Sequence, residues 1–238
     1  MPGYDFQTIS TKAGSVIFHL AISEWLSSPL LRKLVPAFGT LPSNKQVVLR
    51  NSVMSTVHAA ITGGFKHLPY FATSNALGFL VADSLLMAMY VPIRDWKLTL
   101  HHTVAIWGAH NVMVAGAGLY FGNTWFLMEV SNPFVNMRLI LHTLGHKRSL
   151  LYKVNGVAML VAFFAFRIAT IPIYFGLVPH MRTGEFFKME LGPIIKFLFI
   201  SPIFCMLNIF WFTKICKGAY RVLYSSETGS ELFSSIKN

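Results

Sequence analysis

Apolar residues run along this chain in blocks, residues 13–35, 47–65, 71–91, 99–120, 124–144, 154–178 and 191–213, with short polar connections between them. Each approaches the roughly 20 residues that carry a helix across about 30 Å of hydrocarbon. The pattern predicts an all-α, polytopic transmembrane bundle of six to seven helices. Two blocks are weaker than the rest. The first holds Glu24 and the interruption Ser27-Ser28-Pro29, so a kinked or partly interfacial helix is expected there. The fifth is broken at mid-depth by Asn132, Pro133 and Asn136.

Composition supports the same class. Hydrophobic residues make up 54% of the 238 positions and charged residues 12%, about half the ~25% charged of an ordinary soluble domain. The net charge of +11 does not imply a nucleic-acid partner, because the basic residues are scattered between blocks rather than forming a stripe with interleaved aromatics. They read as topology signals. One alternating set of connections holds thirteen Lys and Arg, the other four, which predicts a cytoplasmic C-terminus and, if every block crosses, an external or luminal N-terminus. The N-terminal stretch has neither a basic n-region nor a small-residue cleavage site, so the first helix is expected to be retained. Cys205 and Cys216 lie in or beside the last block, giving neither a disulfide framework nor a metal motif. No repeat of fixed period is visible. Gly63-Gly64, Gly116 and Gly118 suit close helix contact or helix ends without forming a GxxxG pair.

Polar residues inside the blocks are the candidates for chemistry, since a charge at the bilayer centre costs about 3 kcal/mol and survives where it is paired or used. Asp83 needs a partner from another helix, with His101, His102, Arg138 and Arg167 as the chemical candidates. His101-His102 could supply a general base or hydrogen bonds; His110, about two turns on, could line the same groove. Glu129, Asn132 and Asn136 recur at i, i+3 and i+7 and so share a helical face, while Pro133 frees the carbonyl of residue 129. Arg138 lies within a turn of Asn136. Arg167 is expected to pair with Glu129 or Asp83, or to receive a lipid phosphate or carboxylate. His58 forms a milder polar face with Thr56, Ser52 and Ser55, and Asn155 is expected to cap its helix. Two readings stand for each of these residues, a structural clamp between helices or the lining of a cavity. Serine-elbow, H-E-x-x-H, P-loop and GxGxxG fingerprints are absent from the sequence.

In order, Ser55-Thr-Val-His58-Ala, Ala82-Asp83-Ser-Leu-Leu, His101-His102, Glu129-x-Ser131-x-Pro133-Phe134-Val135-Asn136-x-Arg138, Asn155-Gly156-Val157 and Arg167-Ile168-Ala169 resemble the anchors of TLC-domain proteins. That family includes ceramide synthases and translocon-associated membrane proteins, and the likeness is greatest to its TLC domain-containing protein 4 subgroup. The resemblance spans about residues 45 to 220. It implies a first helix and linker over 1–44, a TLC domain over 45–220 and a polar tail over 221–238, of which the Ser-rich stretch from Ser225 to Asn238 is expected from its composition to be mobile. It further implies an endoplasmic-reticulum-type membrane and a link to lipid homeostasis. Ceramide synthases in the family carry a paired histidine followed by a His-Asp-x-x-Asp element. His101-His102 matches the first half; the second half is absent, and His110 is followed by Asn111.

The leading expectation is a protein that binds a membrane lipid or acyl chain in an intramembrane cavity, with Arg138 or Arg167 meeting the polar head and no cofactor or metal. The alternative is an acyltransferase using acyl-CoA as co-substrate, with His101 or His102 as general base and Asp83 or Glu129 orienting it. A third class, a cargo receptor or folding aid, rests on relatives alone. Membrane lipids are the expected partners; protein partners are left open.

Overall fold

The computed structural model describes residues 6–64, 69–115 and 127–236. Lys66, Gly116, Gly118 and Lys237, together with the ends of the blocks that adjoin them, lie outside that set. Every regular element among the described residues is helical.

The first block folds as α1 (Phe6–Ala21), a π-helical turn over Ile22–Leu26 and α2 (Ser27–Leu34). The break expected at Ser27-Ser28-Pro29 therefore falls just ahead of it. Pro29 cannot donate to the helix ladder, and the Ile22 carbonyl accepts both the Ser27 amide and, at 2.7 Å, the Ser27 hydroxyl across the widened turn. Glu24 lies in this turn. It accepts from Arg50 at 3.2 Å and from the Tyr90 hydroxyl at 2.9 Å, which ties the first block to the next two.

Then come α3 (Ser43–Gly64), α4 (Pro69–Met89) and α5 (Trp96–Ala115). Asp95, the residue before α5, accepts the Lys97 amide at 2.8 Å and satisfies one of the donors orphaned at a helix start. The fifth block departs from the expected kinked span. Val130 and Ser131 form a turn, and α6 (Asn132–Thr143) begins after it. Pro133 thus occupies the first turn of a helix, where its missing N–H costs nothing, rather than kinking a continuous one. Gly145, at φ 84°, ends α6, with the His146 amide donating to Leu141 at 2.8 Å.

Helix α7 (Leu150–Phe163) continues into a π-helical turn over Phe164–Ile168. Its cap is Ser149, whose hydroxyl accepts the Tyr152 amide at 3.1 Å. Asn155, expected in that role, is buried one turn further in, and its amide donates to the Phe134 carbonyl at 2.9 Å. It therefore joins α7 to α6. After short helical turns and α8 (Val178–Arg182), the chain runs through α9 (Leu191–Ile195) and a π-helical turn over Lys196–Ile200 into α10 (Ser201–Ile236). The stretch from Ser225, expected to be mobile, is helical as far as Ile236.

The contacts close into a ring. Neighbours in order are α3, α4, α5, the α9 segment leading into α10, then α7 and α6, with α6 returning to α3; α1 packs outside the ring on α4. The α1–α4 approach is close because Gly78 has no side chain: a Cβ there would overlap the side chain of Ser15, whose hydroxyl donates to the Asn75 carbonyl at 3.2 Å. A small apolar core of Ile22, Met54, Phe79 and Leu86 locks the first block against α3 and α4.

The outer surface is apolar where that of a soluble bundle would be polar. On α7 and the turn that continues it, Val154, Val157, Val161 and Phe164 are all exposed, whereas Asn155 is buried. These exposed positions follow helical spacing and form one outward apolar stripe, which suits lipid rather than water as the surrounding solvent. Helical stretches over Phe71–Met89, Leu150–Arg182 and Lys196–Tyr220 are long and apolar enough to cross a membrane. Polar inward faces lower the apolar content of the others, as Ser52, His58 and Thr62 do in α3.

Candidate functional site

The ring encloses a cavity of about 620 Å³. Its lining draws on α3 and α10 as well as the helices between them, so Asn51, Trp211 and Lys214 join the residues singled out from sequence. One end lies where the connections near Asp95 and His142 leave the bundle; the other reaches Glu129 and Arg167.

Two carboxylate–imidazole pairs bracket the interior. Asp83 Oδ2 lies 3.5 Å from His102 Nδ1, with side chains 4% and 5% exposed. Asp83 therefore takes His102 among its four candidates. This orientation leaves Nε2 on the opposite edge of the His102 ring, and both residues line the cavity. His58 Nε2 lies 3.5 Å from Glu129 Oε2. The Phe79 ring lies 6.2 Å from that of His102.

The histidines are held by aromatic walls and amides. Phe79 stacks on His58 with ring centres 3.9 Å apart and planes 4° from parallel. His58 Nδ1 faces the Asn75 amide nitrogen at 3.3 Å, and that same nitrogen donates to Thr62 at 3.0 Å. An amide donor at Nδ1 places the imidazole proton on Nε2, toward Glu129. His101 packs its ring against Phe204 and Trp211, at 4.5 and 5.4 Å.

Among the described residues, no carboxylate lies within 4.0 Å of Arg167. Its guanidinium donates to Ser131 Oγ at 2.7 Å, Asn208 Oδ1 at 3.2 Å and Asn132 Oδ1 at 2.5 Å. Asn132 in turn donates to Glu129 at 2.6 Å, so the amide stands between cation and anion. The pairing expected with Glu129 or Asp83 fails because the turn at Val130-Ser131 presents Ser131 and Asn132 to the guanidinium first. Phe163 lies under the cation at 4.9 Å.

Glu129, Asn132 and Asn136 all line the cavity despite the helix break between the first two. Asn136 donates to Thr56 on α3 at 3.2 Å. Arg138 lies nearer the mouth, its guanidinium 4.4 Å over the Tyr152 ring. His110 lies elsewhere. It lines a separate apolar groove with Leu77, Gly78 and Trp107, because eight residues turn a helix about 80° past His102.

Sequence reasoning missed His19, which is fully buried with its ring 5.5 Å from His58, and Asn208, which completes the Arg167 cradle. Asn208 was detectable: it is a lone amide in Cys205-Met-Leu-Asn208-Ile-Phe, the pattern that drew attention to Asp83. Lys196 is buried with its ammonium 5.5 Å over Phe197. Among the described residues no group of three or more His, Cys, Asp or Glu side chains is arranged to hold a metal ion.

A helical membrane bundle around a polar-studded cavity is the setting in which the comparisons fall. The TLC domain model matches residues 14–217, so the match begins within α1. TLC domain-containing protein 4-B of Xenopus laevis is 33% identical over 230 residues, covering 87% of this chain and 86% of its own. Human TLC domain-containing protein 4 is 29% identical over 230 residues, covering 85% and 84%. Chicken TLC domain-containing protein 1 shares 32% over 93 residues, 39% of this chain and 37% of its own. The chain belongs to the TLC domain family.

Proposed function

We propose that the central cavity binds a membrane lipid or acyl chain and that the protein acts in membrane lipid homeostasis. The cavity itself carries this reading: about 620 Å³, walled by Phe79, Leu80, Leu139, Met159, Phe163 and Trp211, with polar groups at a few depths. Such a volume lies within the roughly 300–1,000 Å³ of small-molecule sites, and apolar walls with a few placed polar groups suit an amphiphile. Family membership supports the lipid connection. The uneven distribution of Lys and Arg supports a cytoplasmic C-terminus, and the family resemblance supports the endoplasmic reticulum as the membrane.

Photolabelling tests it. A lipid with a diazirine in its acyl chain, added to the protein in native membranes, is expected to label inward residues such as Val135 and Met159, and unlabelled lipid is expected to compete. Labelling confined to the outward stripe at Val154, Val157 and Val161 refutes the reading.

One observation favours a second reading, an acyl-CoA-dependent acyltransferase: the carboxylate of Asp83 faces His102 Nδ1 beside the cavity. In that reaction Nε2 takes the proton of an acceptor amine or hydroxyl, which bonds to the acyl carbon as the thioester C–S bond breaks, and returns the proton to the departing CoA thiolate, while Asp83 orients the ring and stabilises its charged form. Incubation with acyl-CoA and a panel of sphingoid amines and alcohols separates the readings. Turnover lost in His102→Ala with the fold intact supports the enzyme; no turnover across the panel counts against it.

A further inference from the structure

The mouth of the cavity carries charge that the deeper network does not use. Arg138 and Lys214 both line it. The Arg138 guanidinium stacks over Tyr152 and fits against glycine on two helices: a Cβ at Gly156 would stand 2.8 Å from Nη1, and one at Gly218 3.9 Å from Nη2. Gly218 lies one turn after Lys214, so the same face of α10 carries the second cation toward the first. The Lys214 ammonium rests 4.7 Å over the Phe210 ring. Among the described residues no carboxylate lies within 4.0 Å of either cation. Asp95, the acid at this end, already accepts the Lys97 amide. His142 lies within electrostatic reach of Arg138, Lys45 and Lys147, so the local field is positive.

From this arrangement we infer that the occupant of the cavity carries a phosphate group, held between Arg138 and Lys214 at the mouth, with its apolar tail directed inward past His101 and His102. The inference rests on the lipid-binding reading of the cavity and adds the class of headgroup and its orientation. A guanidinium can grip two phosphate oxygens while an ammonium acts as a point charge beside it. Cations fixed on aromatic rings, with no carboxylate within 4.0 Å among the described residues, are prepared for an anion before it arrives.

The test uses the full chain in neutral detergent and two probes with the same fluorescent acyl chain, phosphatidic acid and diacylglycerol. Glycerol 3-phosphate serves as soluble competitor. Arg138→Gln and Lys214→Gln are each expected to weaken phosphatidic acid binding about tenfold, the size of one lost charge-assisted contact, and to leave diacylglycerol binding unchanged. Lys153→Gln, an exposed position on α7 outside the cavity, is expected to change neither. If Arg138→Gln fails to fold, Arg138→Lys keeps the charge without the fork and is expected to lose about threefold. Competition by glycerol 3-phosphate assigns the site to a soluble phosphate ester; no competition assigns it to a membrane phospholipid. Equal binding of the two lipids, or equal losses in Arg138→Gln and Lys153→Gln, overturns the inference while leaving the cavity reading intact. If neither lipid binds, the cavity reading fails as well.

Discussion

Asp83 Oδ2 and His102 Nδ1 face each other at 3.5 Å across the contact between α4 and α5, both side chains almost fully buried. Such a pair gains little over apolar packing, but removing one member leaves the other stranded. Asp83→Ala and His102→Ala are each expected to destabilise the protein. A double-mutant cycle, read by unfolding in mixed micelles, should return a coupling of about 1–3 kcal/mol. Additive effects of the two substitutions would mean that they act independently.

Arg167 reaches three neutral oxygens on two separate segments, Ser131-Asn132 and Asn208, a geometry that suits a planar fork. Arg167→Leu strands Ser131, Asn132 and Asn208 and is expected to cost about 3 kcal/mol or more, at the upper end of single buried-polar losses. Arg167→Lys keeps the charge and should recover less than half of that loss. Full recovery by lysine, measured in the same micelles, would show that charge rather than the fork matters.

Gly78 permits the approach of α1 to α4. Gly78→Ala puts a methyl into the side chain and backbone carbon of Ser15, and overpacking of this kind costs about 1–3 kcal/mol. Ser15→Gly in the same chain should recover part of the loss, since the backbone carbon remains in the way. Thermal unfolding of the single and double variants checks both expectations.

The Glu24–Arg50 pair is partly exposed, 27% and 16%, and screening reduces its worth to about 1 kcal/mol or less. Tyr90→Phe removes a hydrogen bond to the same carboxylate, worth about 1.5–3 kcal/mol for a charged acceptor. Tyr90→Phe should therefore lower the melting temperature more than Arg50→Gln, and the reverse order would contradict this account.

The spans were legible because their signal is local: a run of apolar residues declares a helix wherever it packs. The cavity was legible in part for a related reason, since Asp83, His102, Glu129 and Arg167 each stand out in an apolar stretch. Which of them meet was not legible. That depends on the turn at Val130-Ser131, set by the Pro133 beyond it, which brings Ser131 and Asn132 to Arg167 in place of Glu129. His110 was misplaced by a phase difference of under a quarter turn. The cation slot at Arg138 is tight against Gly156, whose meaning appears only when α6 and α7 are brought together.

Lipid carried through purification tests the central claim most directly. The full chain, extracted gently and analysed by native mass spectrometry, is expected to retain roughly one lipid per molecule, as a cavity of this class would hold. Val135→Phe, which fills the cavity, should lose that lipid, while Val154→Phe on the outer face of α7 keeps it. No retained lipid, or equal retention in the two variants, would contradict the account.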